Sequence, residues 1–214
     1  MPACIVLIAS HLLIAAGRGV RIPMTISPMP ASAGPRRKPF TLRDAGPADV
    51  PAIQAIYGHH VLHGRASFEE TPPGVDDMQL RMAEVLRKGL PYLVAERDGE
   101  VLGYAYASSY RARSAYRHAI EDSIYIDHRC VGEGLGRTLL EALIARCETG
   151  PWRQMVAVVA CTASGEGAGS LAVHERLGFR TVGRLEAVGF KHGQWIDTVL
   201  MQRPLGPGSA TLPE

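Results

Sequence analysis

Residues 124–148 read IYIDHRCVGEGLGRTLLEALIARCE: a strand-like run, an Arg-x-x-Gly-x-Gly turn from Arg129 to Gly134, and an amphipathic helix that opens directly from the turn. That order builds a phosphate cradle. Gly132, Gly134 and Gly136 remove side chains where backbone N–H groups must converge on one anion, and the helix behind them adds the positive end of its dipole. Glu133, Leu135 and Arg137 fall within the same turn and first helical residues, so the cradle runs from Gly132 to Arg137 and suits a pyrophosphate. Two other glycine motifs fit less well. In the dinucleotide-binding G-x-G-x-x-G the third glycine comes one residue later than Gly136, and the nucleotide-triphosphate loop needs a Gly-Lys-Ser/Thr that does not follow. A dinucleotide enzyme also needs an acidic ribose ligand about 20 residues on, where this chain reads Pro151-Trp152-Arg153. A turn that is glycine-rich for packing alone is the remaining alternative, and the flanking sequence decides between them.

The chain has 214 residues, 46% of them hydrophobic and 21% charged, which is ordinary for one well-buried globular domain. A formal charge of +2, with no basic stripe interleaved with aromatics, implies neither nucleic acid nor an anionic membrane as partner. The expected partner is a small molecule. Cys4, Cys130, Cys147 and Cys161 form no C-x-x-C pair and no Cys/His ligand spacing, so no metal or disulfide framework is expected, and incidental thiols in a reducing cytoplasm are.

Ala3 to Ala16 is apolar apart from Ser10 and His11, yet no Lys or Arg precedes it and Arg18 and Arg21 follow it, unlike a secretory signal. It is also shorter than the ~20 residues that span a bilayer. With the Pro-, Ser- and Ala-rich stretch from Pro23 to Pro39, residues 1–39 read as a disordered leader or as upstream sequence included by the choice of start, since Met24 and Met29 offer alternatives. Residues 40–205 read as the folded domain and residues 206–214 as a flexible tail.

Within the domain the pattern predicts a strand at Phe40-Thr-Leu-Arg, a helix capped by Asp49, and a second helix over Asp76 to Lys88. Strands from Tyr92 to Glu96 and Val101 to Ser108 flank a hairpin turn at Arg97-Asp-Gly-Glu. A strand from Glu121 to Ile126 leads into the helix with Leu135, Leu139, Leu140, Leu143 and Ile144 on one face. Met155 to Ala160 is a buried strand and Ser170 to Leu177 a helix. Strands over Arg180 to Leu185 and Trp195 to Gln202 close the domain. Physics alone supports an α/β or α+β domain with a mixed sheet.

The glycine motif resembles the pyrophosphate-binding turn of the GNAT superfamily of acyl-CoA-dependent N-acetyltransferases. Further strings, in order, are similar to its phosphinothricin and methionine sulfoximine N-acetyltransferase branch: Phe68-Glu-Glu-Thr-Pro, Gly103-Tyr-Ala-Tyr-Ala, Arg111-Ala-Arg-Ser-Ala-Tyr116, Glu121-Asp-Ser-Ile-Tyr125, His174-Glu-Arg-Leu-Gly-Phe179 and Phe190-Lys-His-Gly-Gln-Trp-Ile-Asp197. This likeness spans Phe40 to Leu205. It implies the GNAT fold, a mostly antiparallel mixed sheet flanked by helices and splayed between its fourth and fifth strands. It also implies acetyl-CoA as donor, no metal, a small amine or amino acid as acceptor, and direct transfer in a ternary complex. A homodimer is compatible with it, the Lys191 to Trp195 hairpin being able to reach a partner.

The resemblance places Glu121 as general base. A carboxylate near its ordinary pKa is a weak base, and burial would raise it. His174 stands where many relatives carry a Tyr that protonates the CoA thiolate. An imidazole can do that work, and a histidine on an apolar helix face is equally at home as a packed core residue. Arg111 and Arg113 match positions around the acceptor's carboxylate, with Asp122, Ser123, Phe68 and Tyr116 around the same pocket. The backbone of Ile124, Tyr125 and Ile126 would pair with the pantetheine arm as an added strand. Gly167 stands where the superfamily often has Asn, and the loop from Ala160 to Gly169 is longer than in relatives. An enzyme acting on peptide N-termini or other amines, and a non-catalytic acyl-CoA-binding domain, are the other readings.

Overall fold

The computed structural model describes residues 39–213, so all of the expected leader except Pro39 lies outside the described residues. The elements follow the expected order: β1 (Thr41–Asp44), α1 (Val50–His63), α2 (Val75–Arg87), β2 (Tyr92–Arg97), β3 (Glu100–Ser109), β4 (Ala119–Ile126), α3 (Leu135–Glu148), β5 (Gln154–Cys161), α4 (Ala168–Arg176), β6 (Arg180–Lys191) and β7 (Gln194–Pro204). They form one seven-stranded sheet in the order β1-β2-β3-β4-β5-β7-β6. Every pairing is antiparallel except β4 with β5.

That parallel pair makes the site. β4 and β5 share only the registers Ala119↔Gln154, Ile120↔Met155 and Glu121↔Val156, after which the strands part. β4 stays paired with β3 as far as Ile126, and β5 with β7 as far as Cys161. The sheet therefore opens between two halves that are each fully laddered.

Side chains alternate across β4. Tyr125 packs its ring edge-on to Tyr57 of α1 at 5.0 Å, whereas Ile126 approaches Gly136 of α3. α1 and α2 thus cover one face and α3 the other. The stripe read from the sequence on α3 is the core: Leu135, Leu139, Leu140, Leu143 and Ile144 are all buried, with Cys147.

Local chemistry sets the turns. Asp98 and Gly99 both have positive φ, 51° and 83°, as a two-residue hairpin turn demands, and His192 and Gly193 repeat this between β6 and β7. Asp49 does precede α1, but its carboxylate does not cap it. Both oxygens accept from Arg43, at 2.7 and 2.8 Å, and one from the Gly46 N–H. A guanidinium fork is the stronger partner. β6 runs past its expected end at Leu185 because a bulge between Leu185 and Gly189, with Ala187 at φ 51°, interrupts the alternation without ending the strand. In the segment expected as a tail, Arg153 donates to Thr211 and to the Leu212 carbonyl.

Candidate active site

The parting of β4 and β5 opens a cavity of about 840 Å³. Asp122 to Tyr125 of β4 and Ala157 to Ala160 of β5 form its walls, the start of α4 closes one end, and the loop of residues 65–69 closes another. Of the residues expected at the site, Phe68, Glu121, Asp122, Ser123, Ile124, Tyr125, Gly167 and His174 line it.

Glu121 is the last residue of β4 that pairs with β5, which puts its carboxyl at the vertex of the gap. Burial, and after it the neighbouring Asp122 charge, raises its pKa to about 6, against a smaller opposing pull from Arg111. A base poised there is ionised at neutral pH and still basic enough to accept a proton.

Asp122 points to the opposite face. Its Oδ2 lies 3.0 Å from Nε2 of His174, and the Nδ1 of His174 donates to the Ser170 carbonyl at 2.7 Å. Both groups are buried. Burial works against the charged imidazole, yet the Asp122 hydrogen bond and charge prevail and raise its pKa above 6.5. His174, expected to face the leaving thiolate, thus has both nitrogens bonded within the protein and its ring packed edge-on to Phe179 at 5.0 Å. Asp122, expected at the acceptor, is the carboxylate that holds it.

Backbone geometry refines the cofactor expectation. The Asp127 N–H donates to the Leu102 carbonyl, so antiparallel alternation turns the amides of Tyr125 and Ser123 toward β3 and those of Ile124 and Ile126 toward the gap. Tyr125 therefore contributes its ring to a tyrosine stack with Tyr104, at 5.4 Å, rather than its amide to a ligand. The Ile126 carbonyl already bonds Nε2 of His60 at 2.7 Å.

At the end of β4, Gly132 and Gly134 adopt φ of 85° and 84°, conformations that side-chain-bearing residues avoid, and a Cβ on either would project into open space. The first helical bond of α3 runs from the Thr138 N–H to the Gly134 carbonyl, so the N–H groups of Leu135, Gly136 and Arg137 precede any helical partner. Two neighbouring charges are turned elsewhere. Glu133 is bonded to Arg97 at 2.7 Å, and Arg129, the arginine of the motif, pairs with Asp127 and Glu100, both at 2.6 Å. The cradle is thus backbone N–H and helix dipole, with Arg137 exposed at its edge.

Gly167 has a local cause. Its φ is 92°, and a Cβ would lie 2.3 Å from the Ala160 carbonyl, so no Asn fits this path of the longer loop. Arg111, Arg113 and Tyr116 do not line the cavity. They stand in the loop between β3 and β4, exposed, Arg111 over the Tyr110 ring at 4.9 Å.

Sequence reasoning missed Arg65, which pairs with Glu166 at 2.7 Å across the cavity mouth, and Tyr57, whose hydroxyl meets that of Ser67 at 2.8 Å. No sequence pattern marks the Arg65 pair, because its members are 101 residues apart. Among the described residues no cluster of His, Cys, Asp or Glu is placed to hold a metal, and no helix is long and apolar enough to cross a membrane.

The model of the family described as acetyltransferase (GNAT) domain matches residues 42–200. The chain is 60% identical to a phosphinothricin N-acetyltransferase of Alcaligenes faecalis over 81% of its length and 87% of the relative's. It is 40% identical to an L-methionine sulfoximine/L-methionine sulfone acetyltransferase of Pseudomonas paraeruginosa, over 78% of this chain and 95% of that one. Among solved structures, a GNAT superfamily phosphinothricin acetyltransferase from Sinorhizobium meliloti in complex with AcCoA superposes with a TM-score of 0.77 at 48% identity, covering 82% of this chain and 93% of the other.

Proposed function

The chain belongs to the GNAT family and is an acetyl-CoA-dependent N-acetyltransferase, and we propose that it transfers acetyl directly, in a ternary complex, to the α-amino group of a small amino acid or analogue of the phosphinothricin or methionine sulfoximine type. The observation that carries this reading is Glu121, with a pKa of about 6 at the vertex where β4 leaves β5. Acetyl-CoA supplies a thioester carbonyl that an amine can attack. The gap-facing amide of Ile124 is suited to its pantetheine arm, and residues 132–137 to its pyrophosphate. Glu121 removes one proton from the acceptor ammonium, directly or through water. The freed lone pair forms the N–C bond as the C–S bond breaks; the nitrogen then gives up its second proton, and that proton neutralises the departing thiolate, directly or through water.

Arg111 and Arg113 are assigned to the acceptor's carboxylate. Support comes from their place in the loop that delivers β4, where the charge of Arg111 already acts on Glu121. Phe68, which lines the cavity, is assigned to the wall around the acceptor side chain, and Tyr116, outside it in the exposed loop, is not. The bonded geometry favours His174 as the group that holds Asp122 rather than as a free acid.

A CoA-release assay across amino acids, sulfoximines and N-terminal peptides tests the substrate class, with NMR of the product locating the acetyl group. Intersecting initial-rate lines support direct transfer, and parallel lines overturn it. A homodimer belongs to the same proposal, supported by Phe190 and Trp195 on the β6–β7 hairpin, 57% and 64% exposed. Sedimentation at the 23.1 kDa of one chain would end it. A cytoplasmic setting is proposed from the donor and from free, buried Cys130, Cys147 and Cys161.

A further inference from the structure

The loop between α1 and α2 carries Arg65, Ser67, Phe68 and Glu69 to the cavity. It belongs to no ladder, so its position depends on what neighbouring elements offer it. One tie comes from α1, the Tyr57 hydroxyl on Ser67, and one from the loop before α4, Glu166 on Arg65. A third comes from α2, where Arg81 donates to Glu69 at 2.7 Å, and a fourth from the far end of β6, where Lys191 donates from Nζ to the Ser67 carbonyl at 2.7 Å.

Lys191 is only 2% exposed. An ammonium withdrawn from water is costly unless firmly bonded, and burial, helped by the Arg65 charge, lowers its pKa on balance against the upward pulls of Glu70, Glu166 and Glu69. A buried cation given to one carbonyl of an irregular loop is an uncommon use of a lysine, and two residues away β6 presents a matching feature. A Cβ on Gly189 would meet the Phe68 ring at 3.0 Å, so Phe68 lies directly on bare backbone. One end of β6 thus holds the loop by a charge and seats its aromatic side chain.

We propose that Lys191 is a positioning residue for acceptor binding: its ammonium pins the Ser67 carbonyl and, with Phe68 seated on Gly189, holds the 65–69 loop against the acceptor side of the cavity. The inference rests on the cavity being the site of amine acetylation, but the pin can be measured without turnover.

Lys191→Met in the full chain removes the ammonium and keeps most of the stem. Hydrogen exchange of the amides from Arg65 to Glu70 should then rise about tenfold or more. With phosphinothricin and methionine sulfoximine as acceptors, KM for the acceptor should rise about tenfold, while KM for acetyl-CoA and Tm stay near wild type and kcat falls little. Unchanged exchange in that segment overturns the pin. A parallel rise of both KM values with a fall in Tm overturns the positioning role, since that is the signature of a general core residue. Absence of turnover by the wild type with every amino acid would defeat the proposed function and leave the exchange result to judge the pin. Should Lys191→Met not fold, Gly189→Leu, at a half-buried position, displaces Phe68: a selective rise in acceptor KM is expected, and an unchanged one overturns the proposal.

Discussion

Glu121 and Asp122 are adjacent carboxylates that the pleat sends to opposite faces, and their partners separate their roles. Glu121 has burial and a like charge, which raise its pKa to about 6. Asp122 has an imidazole. Acting as base, Glu121 must be ionised, so kcat/KM should fall tenfold per pH unit below about 6. Glu121→Gln should lower turnover by about 10² to 10⁴ and move the acid limb from about 6 up to the pKa of the acceptor amine, with partial recovery at alkaline pH as more acceptor amine is already neutral. Near-wild-type activity of the variant at neutral pH would move the base elsewhere. For His174 the sign runs the other way. Its folded-state pKa is raised above 6.5, so the pair stabilises the protein fully below that value and loses its contribution as pH rises through the folded-state pKa. His174→Gln should cost about 3–5 kcal/mol in urea unfolding at pH 6, with the difference from wild type shrinking toward alkaline pH. A pH-independent difference would mean that the pair carries no buried charge.

The glycine turn and α3 act as one element, whose apolar stripe anchors the helix while its N-terminus presents amides to the cavity end of β4. Gly134→Val forces a β-branched residue into φ 84°, so acetyl-CoA affinity measured by calorimetry should fall at least about tenfold with the fold retained. Unchanged affinity would remove the turn from the site. Gly167→Ala tests the other helix entrance: the clash with the Ala160 carbonyl should destabilise the protein by about 1–3 kcal/mol in the same unfolding assay. Elements like these were legible because their signals are local. The stripe at Leu135, Leu139, Leu140 and Leu143, and the Asp98-Gly99 turn, each lie within a few residues. The β6 bulge was not, because Glu186 to Val188 break the period of two without any Gly or Pro to mark it.

At the scale of the molecule, the site exists because two laddered halves share only the short parallel seam from Ala119 to Glu121. Strand order alone could not reveal how soon that seam ends. The order was readable and the split followed from family likeness, but the clamp of Arg65 on Glu166 and of Lys191 on Ser67 joins residues more than 100 apart, where no periodicity operates. The two halves leave β4 and β5 with open edges over the gap, so a ligand that bonds Ile124 on one side and meets the 157–160 wall on the other adds a bridge the protein itself lacks. Binding to the native state alone stabilises by RT ln(1 + [L]/Kd), about 2.7 kcal/mol at a hundredfold excess over Kd. For a domain of this size that is a rise in Tm of roughly 5–10 °C. Acetyl-CoA at saturation should produce it, whereas S-acetylpantetheine, lacking the pyrophosphate proposed to engage residues 132–137, should need a far higher concentration for the same shift. Equal shifts at equal concentrations would show that the cradle contributes nothing to binding and that the gap alone holds the donor.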